Sequence, residues 1–138
     1  MKISDFLKKP RAWLVALVIY LSAIFIVSGI SASDLPIIRF PNWDKIVHFV
    51  EYLPVGFMLA GLLRSKLPGA RFILIIPGVA MIAMALGGFD EFHQSFVPGR
   101  EVSLGDAIAD VLGATAGAAL AAQFVKMMLL KSETTGEL

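Results

Sequence analysis

Four apolar stretches with few or no charged residues constrain this chain more than any other feature. They cover residues 12–30, 46–63, 72–89 and about 107–130. A helix needs about 20 apolar residues, within a range of about 17 to 25, to cross the hydrocarbon core of a bilayer. The strand-length alternation of a membrane β-barrel is absent from these stretches. The sequence therefore predicts an all-α polytopic membrane protein, a four-transmembrane-helix bundle in which residues 1–138 form a single domain.

Composition agrees with this class of protein. Hydrophobic residues make up 57% of the chain, only 17% of residues are charged, and the mean hydropathy is +0.78. A soluble domain has about 25% charged residues. The absence of cysteine excludes disulfides and cysteine-based zinc sites. The net charge of +1 gives no reason to expect a nucleic-acid partner. We expect membrane lipids as partners, and the sequence leaves the oligomeric state and any cofactor open.

A cleaved signal peptide is the alternative interpretation of the first apolar stretch. The basic start of the chain and the segment Ser31-Ala32-Ser33 fit such a peptide loosely. However, the stretch from Ala12 to Ile30 is longer than the usual apolar core of about 7 to 15 residues. We therefore interpret it as a retained membrane helix.

The positive charges predict the orientation of the bundle. Nine of the twelve lie in the N-terminal segment, the 64–71 loop and the C-terminal segment: Lys2, Lys8, Lys9, Arg11, Arg64, Lys66, Arg71, Lys126 and Lys131. The other three are Arg39, Lys45 and Arg100. Because lysine and arginine favour the cytoplasmic side, we predict that both termini are cytoplasmic in a multi-pass protein of the bacterial cytoplasmic membrane.

Acidic residues show the opposite distribution. Eight of the eleven fall at the predicted outer ends of the helices: Asp34, Asp44, Glu51, Asp90, Glu91, Glu101, Asp106 and Asp110. Acidic residues contribute little to topology. This asymmetry therefore calls for another explanation, and it indicates a polar pocket that faces the cell exterior.

In the second predicted helix, Lys45, His48 and Tyr52 follow one another at helical spacing and share a stripe. An ionisable group inside an apolar run is costly and usually faces the bundle interior, where it marks function. The plainer interpretation is that His48 reaches up to the lipid head groups. Asp44 in the first turn is favoured by the helix dipole alone.

A run of polar residues follows Gly87-Gly88, where we expect the third helix to end. If the helix continues for one more turn, Asp90, His93 and Gln94 share a face. Arg100 then follows a predicted Pro98-Gly99 turn. Its planar guanidinium suits a carboxylate or phosphate ligand, and the alternative is a structural salt bridge to a neighbouring acid, Asp90, Glu91 or Asp106.

The fourth predicted helix carries two acids in line with a small-residue seam. Ser103 and Asp106 match a capping box, so Asp106 has a purely structural alternative. Asp110 lies one turn deeper, in the stripe that continues through Gly113 and Gly117. Such a seam allows close helix packing, either within the bundle or between copies.

Together these residues form a predicted site. We expect catalytic roles for His48, Asp90, Glu91, His93 and Asp106. We expect substrate-binding roles for Lys45, Tyr52, Gln94, Arg100 and Asp110. Two histidines with several carboxylates could bind Zn or Mn, or they could exchange protons as general acid and base. A metalloprotease motif, a P-loop and a nucleophile elbow are all absent from the sequence.

The pattern of these residues resembles the VanZ family of bacterial membrane proteins over about residues 40 to 120. The shared motifs are Asp44-Lys45-x-x-His48-Phe49-x-x-Tyr52, then Asp90-Glu91-x-x-Gln94-x-Phe96-x-Pro98-x-Arg100, then Asp106 and Gly113. Four residues after the last aspartate the family often has asparagine, whereas this chain has Asp110.

The resemblance implies a small polytopic protein of the cytoplasmic membrane. It also implies a context of resistance to teicoplanin, the antibiotic to which the family's namesake gives resistance. Three functions fit the predicted site. The chain could be an enzyme acting on a lipid-linked envelope substrate, or a non-enzymatic binder of an envelope lipid or precursor. In the third, the polar residues only fix helix packing.

Overall fold

A computed structural model describes residues 9–35 and 40–135, except for the side chains of 129 and 132–135. Its four long helices are α1 (Pro10–Ser28), α2 (Trp43–Lys66), α3 (Phe72–Gln94) and α4 (Leu104–Thr135). A short 3-10 turn, Ala32–Asp34, follows α1. All four helices are long and apolar enough to cross a membrane, α4 over Leu104–Met128. The described residues include no strand, and the predicted all-α four-helix membrane fold is confirmed.

The largest difference from the expected helix boundaries is in α3. The helix continues past Gly87-Gly88 to Gln94, more than one turn beyond the expected end at residue 89. It continues because Asp90, Glu91 and Gln94 are buried against the other helices rather than exposed in a loop. The helix α2 is one turn longer at each end than expected, and α4 begins at Leu104 rather than near 107.

Some charged residues lie outside the described part of the chain, namely Lys2, Lys8 and Arg39, which were used to predict orientation, and the acids Asp5 and Glu137. The described ones remain separated along the bundle. Seven positive residues lie where α1 and α3 begin and where α2 and α4 end: Lys9, Arg11, Arg64, Lys66, Arg71, Lys126 and Lys131. We call this the basic end. At the opposite end, the polar end, α1 and α3 finish and α2 and α4 begin.

Burial in this bundle is inverted relative to a water-soluble protein. Large apolar side chains such as Ile19, Leu74 and Met81 are about two-thirds exposed or more. Seven buried polar or charged side chains among the described residues lie at the polar end: Ser28, His48, Asp90, Glu91, Gln94, Asp106 and Asp110. An apolar outer surface suits contact with lipid, and ionisable groups in such proteins face the bundle interior.

The small-residue seam of α4 packs within the bundle, against α2. A Cβ atom added at Gly113 would lie 2.2 Å from the carbonyl oxygen of Phe49, and one at Gly117 would lie 1.9 Å from that of Leu53. In the other direction, a Cβ atom at Gly56 would lie 1.8 Å from the carbonyl oxygen of Ala114. Only glycine allows the two backbones to come this close, so α2 and α4 have one fixed register.

Candidate functional site

Two pairs of charged side chains join α2 to α4 above this seam. In the outer pair, Lys45 Nζ donates to Asp106 Oδ1 at 3.2 Å and also to Asp44 Oδ2 at 2.8 Å. Asp106 is buried, whereas Asp44 is exposed. One lysine therefore compensates part of the charge of two carboxylates, and its contact leaves Asp106 Oδ2 available to another ligand.

The inner pair is deeper and less accessible. His48 Nδ1 lies 3.0 Å from Asp110 Oδ1, with His48 only 7% exposed and Asp110 fully buried. When Asp110 is ionised, its carboxylate only accepts hydrogen bonds, and the N–H at Nδ1 is then the donor in this contact. The bond fixes the orientation of the imidazole ring and leaves Nε2 as the nitrogen that can accept a proton or bind a ligand.

Glycines provide the space for both pairs. A Cβ atom at Gly87 of α3 would lie 2.6 Å from Asp110 Oδ2, and one at Gly105 would lie 2.6 Å from Lys45 Cε. Both distances are shorter than van der Waals contact. The approach of α3 to Asp110 therefore depends on the absence of a side chain at Gly87, whereas at Gly105 the flexible end of Lys45 would have to shift.

The start of α4 is held by a carboxylate from α3. The backbone N–H of Ser103 donates to Glu91 Oε2 at 2.6 Å. In a capping box, the acid three residues along, here Asp106, would accept this bond. Asp106 binds Lys45 instead, so the predicted local cap is replaced by a contact between helices. The other oxygen, Glu91 Oε1, is buried without a hydrogen-bond partner among the described residues.

Asp90 and Gln94 occupy one face of the last turns of α3. Gln94 Nε2 donates to Asp90 Oδ2 at 2.8 Å, and both side chains are buried. Asp90 and Tyr52 also line an apolar groove of about 420 Å³ on the α1 side of the bundle. Tyr52 is only 1% exposed and belongs to the core.

His93, the second histidine, lies apart from the others. Its ring stacks on Phe25 of α1 with the ring centroids 3.9 Å apart, and its Nδ1 lies 3.2 Å from Ser28 Oγ. His93 follows Glu91 by two residues, which is about 200° around a helix. The structure therefore directs it to α1 and not to the group that surrounds His48.

Arg100 fastens the α3–α4 connection to the end of α1. Its Nε donates to the carbonyl oxygen of Ile30 at 3.2 Å, and its Nη2 donates to that of Val27 at 3.5 Å. No described carboxylate forms a salt bridge with Arg100, so the structure does not show the salt bridge to Asp90, Glu91 or Asp106 that was the alternative to ligand binding. Gly99, with a φ of 76°, makes the turn that precedes it.

A cavity of about 480 Å³ opens at the polar end among these residues. Its polar lining includes Asp44, His48, Glu51, Gln94, Arg100, Glu101 and Asp106. Its apolar lining includes Val27, Leu35, Phe40, Trp43 and Val47. Among the described residues of this wall, carboxylates outnumber cationic side chains, so this part of the lining has an excess of negative charge.

Three of the predicted catalytic residues converge beside this cavity. His48, Glu91 and Asp106, from three different helices, each offer one ligand atom, and these atoms lie within 4.8 Å of one another. All three residues are buried. An imidazole with two carboxylates is a donor set that fits a divalent metal ion such as Zn²⁺.

Sequence reasoning missed several contributors to this arrangement. The sequence predicts that α3 ends at Gly87-Gly88, whereas in the structure Gly87 gives Asp110 room beside α3. The aromatic residues Phe40 and Trp43 line the cavity, although no sequence motif points to them. Nothing in the sequence indicates that the backbone of Ser103 binds Glu91.

The fold and the site define a class, a polytopic membrane protein of four helices with a buried polar cluster at one end. A family model described as VanZ/LLP1 matches residues 3–127 of the 138-residue chain. The chain belongs to the VanZ/LLP1 family. No curated protein and no solved structure matches it.

Proposed function

We propose that this protein binds the polar head group of an envelope lipid, or of a lipid-linked envelope precursor, in the cavity at its polar end. The observation that carries the proposal is the cavity itself. It has a volume of about 480 Å³, its wall combines polar and apolar side chains, and it lies where helices that can cross a membrane begin and end. Such a wall suits a molecule with a polar group joined to a hydrocarbon chain.

The aromatic residues of the cavity support a position at the membrane surface. Phe40 is 58% exposed and Trp43 is 39% exposed, and both line the cavity. Tryptophan is enriched at the level of the lipid head groups. A lipid head group would therefore reach the cavity without leaving the bilayer.

Arg100 is the residue that we assign to recognition of an anionic group. Its Nε and Nη2 bind carbonyl oxygens of the chain, while Arg100 also lines the cavity. A guanidinium has five N–H donors, so donors remain for a phosphate or carboxylate. Because two of its donors already hold it in place, little side-chain freedom would be lost on binding.

The separation of charges supports an orientation in which the cavity faces the outside of a bacterial cytoplasmic membrane. The described positive residues collect at the basic end, and only Lys45 and Arg100 lie at the polar end. Positive residues favour the cytoplasmic side. The family context and this orientation together are consistent with a contribution to teicoplanin resistance.

A chemical step at the bound head group is a second candidate, favoured by the contact of His48 with Asp110. A histidine held by a buried carboxylate is a common arrangement for a general base. His48 also lines the cavity. A third candidate is a structural role, since Lys45 and His48 bind carboxylates of another helix.

A titration of the full-length protein in mild detergent tests the proposal. The probes are a polyprenyl phosphate and a phosphatidylglycerol, with a phosphatidylcholine as reference, and the readout is the fluorescence of Trp43. We expect saturable binding of an anionic lipid that weakens at least tenfold in Arg100→Ala. Arg71→Ala, at the basic end, is the matched control and should bind like the wild type. Loss of the fluorescence change in Trp43→Phe would assign the signal to this residue.

The outcomes separate the three candidates. Equal affinity of wild type and a folded Arg100→Ala, or no saturable binding at all, would overturn the proposal. If His48→Gln binds normally and also protects cells from teicoplanin, then binding alone is the function. If it binds normally without protecting cells, a chemical step is favoured. A structural role predicts instead that every variant of the cluster lowers the amount of folded protein in the membrane.

A further inference from the structure

We infer that His48, Glu91 and Asp106 bind a divalent transition-metal ion of the Zn²⁺ type at the inner wall of the cavity. This inference concerns the ion alone and does not depend on lipid binding. The three residues come from α2, α3 and α4, and their ligand atoms lie within 4.8 Å of one another. A Zn²⁺ ion about 2.1 Å from each ligand requires ligand separations of about 3 to 4 Å. Small side-chain rotations would therefore close the site.

The histidine is already oriented as a metal ligand. Metal-binding histidines usually donate their second ring nitrogen to a carboxylate or carbonyl, which fixes the ring and its tautomer. His48 Nδ1 makes such a bond to the fully buried Asp110 at 3.0 Å. Nε2 is then the nitrogen available to a metal, and Asp110 is a positioning residue.

Glu91 supplies the independent observation that points to a ligand. Its side chain is 5% exposed, and Oε1 has no hydrogen-bond partner among the described residues. Leaving a buried carboxylate oxygen unpaired is costly. The second oxygen accepts a hydrogen bond from the N–H of Ser103. One oxygen therefore positions the carboxylate, and the other is left without a partner. A bound cation would satisfy the unpaired oxygen.

Asp106 completes the donor set, although Lys45 is close. Lys45 Nζ contacts Asp106 Oδ1 at 3.2 Å, which leaves Oδ2 for the metal. The ammonium group and a metal ion can therefore share this carboxylate. Three protein ligands with an open fourth position are typical of zinc sites that also bind water or a substrate. The open position here faces the cavity, since His48 and Asp106 line it.

The choice of metal follows from the donors. Imidazole suits zinc and similar ions, whereas sites for Mg²⁺ or Ca²⁺ consist of oxygen ligands. The ion would also offset the excess of carboxylates in the cavity wall. His93 takes no part, because it stacks on Phe25 and contacts Ser28.

Titration of the chelator-treated full-length protein in mild detergent with Zn²⁺ alone, followed by calorimetry, tests the site. We expect one Zn²⁺ per chain, and at least tenfold weaker binding in Glu91→Gln and His48→Gln. Asp110→Asn should weaken binding about 10-fold or more through the orientation of His48. His93→Gln is the matched control and should bind Zn²⁺ within twofold of the wild type. Mg²⁺ and Ca²⁺ should compete poorly.

Absence of Zn²⁺ binding in the wild type, or unchanged affinity in folded Glu91→Gln and His48→Gln, would overturn the inference. If these variants do not fold, X-ray absorption of the zinc-loaded wild type decides. We expect one imidazole and oxygen ligands at about 2.0 to 2.2 Å, and two imidazoles would contradict the site. Binding of Zn²⁺ without binding of any lipid would support the metal site and contradict only the proposed function.

Discussion

Along one interface, α2 and α4 change from charged contacts to backbone contacts within a single turn. At the polar end they are joined by His48 and Asp110, while one turn deeper Gly113 lies against the carbonyl of Phe49. The seam admits no additional atom, whereas the charged pair depends on partners of matching chemistry. Because Gly113 follows Asp110 by three residues, the seam sets the register that brings Asp110 to His48. The polar site therefore requires the close packing of the glycine seam next to it.

The largest effect is expected from a single methyl group in the seam. In Gly56→Ala the new Cβ atom would lie 1.8 Å from the carbonyl oxygen of Ala114. Backbone of a neighbouring helix cannot move aside as a side chain can. We therefore expect the free energy of unfolding to fall by more than the about 1–3 kcal/mol usual for overpacking, and by more than the loss of one partner of a buried charged pair would cause. Thermal unfolding in detergent, with monodispersity on gel filtration, measures it.

The control for this variant is Gly88→Ala, also in a membrane helix. Apart from the backbone of its own helix and its chain neighbours, no described atom lies within 4 Å of a Cβ atom at Gly88, so the melting temperature of Gly88→Ala should equal or slightly exceed that of the wild type. Similar unfolding curves for Gly56→Ala and Gly88→Ala would show that the seam is looser than described.

A smaller but still large effect is expected from the charged pair. Asp110→Leu leaves His48 buried without its carboxylate, and breaking one partner of such a pair costs about 3–5 kcal/mol. In the double variant His48→Leu/Asp110→Leu both polar groups are gone, and replacement of a whole pair is often neutral. We expect thermal unfolding to show recovery of most of the lost stability. If the double variant is as unstable as Asp110→Leu, the unpaired His48 is not the cause of the lost stability.

The smallest effect on folding is expected from exposed cysteines that report the two ends. The chain has no cysteine, so Glu101→Cys and Lys66→Cys each introduce one exposed thiol, at the polar end and the basic end respectively. Surface changes of this kind alter stability by about 0.5 kcal/mol or less. In intact cells, a membrane-impermeant maleimide should label Glu101→Cys and spare Lys66→Cys. The reverse pattern would invert the predicted orientation.

The sequence was sufficient for the number of helices and for their apolar spans. Those follow from the length of charge-poor stretches, which reflects the thickness of a bilayer. It was insufficient for the end of α3, because Gly87-Gly88 followed by charged residues is typical of a loop. In the bundle the same glycine admits Asp110, and the residues that follow are buried. The position of the neighbouring helix is needed to see that α3 continues to Gln94.

For the site, helical spacing placed the polar residues at one end but could not pair them. Lys45 and His48 are three residues apart in α2, and Asp106 and Asp110 are four apart in α4. Their pairing depends on the depth and rotation of the two helices, which the seam determines. The two histidines show the limit most clearly. The sequence predicts catalytic roles for both His48 and His93, but the rotation of α3 turns His93 toward Phe25.

The α3–α4 connection is attached at several points, and this determines where foreign sequence can be inserted. Glu91 holds the backbone of Ser103, Arg100 holds the end of α1, and the N–H of Ala32 donates to the carbonyl of Pro98 at 3.3 Å. An epitope or fluorescent protein placed there would separate three helix ends at once. The short turn between α2 and α3 has open space around Gly69, so a reporter for tracking the protein in living cells belongs in that turn.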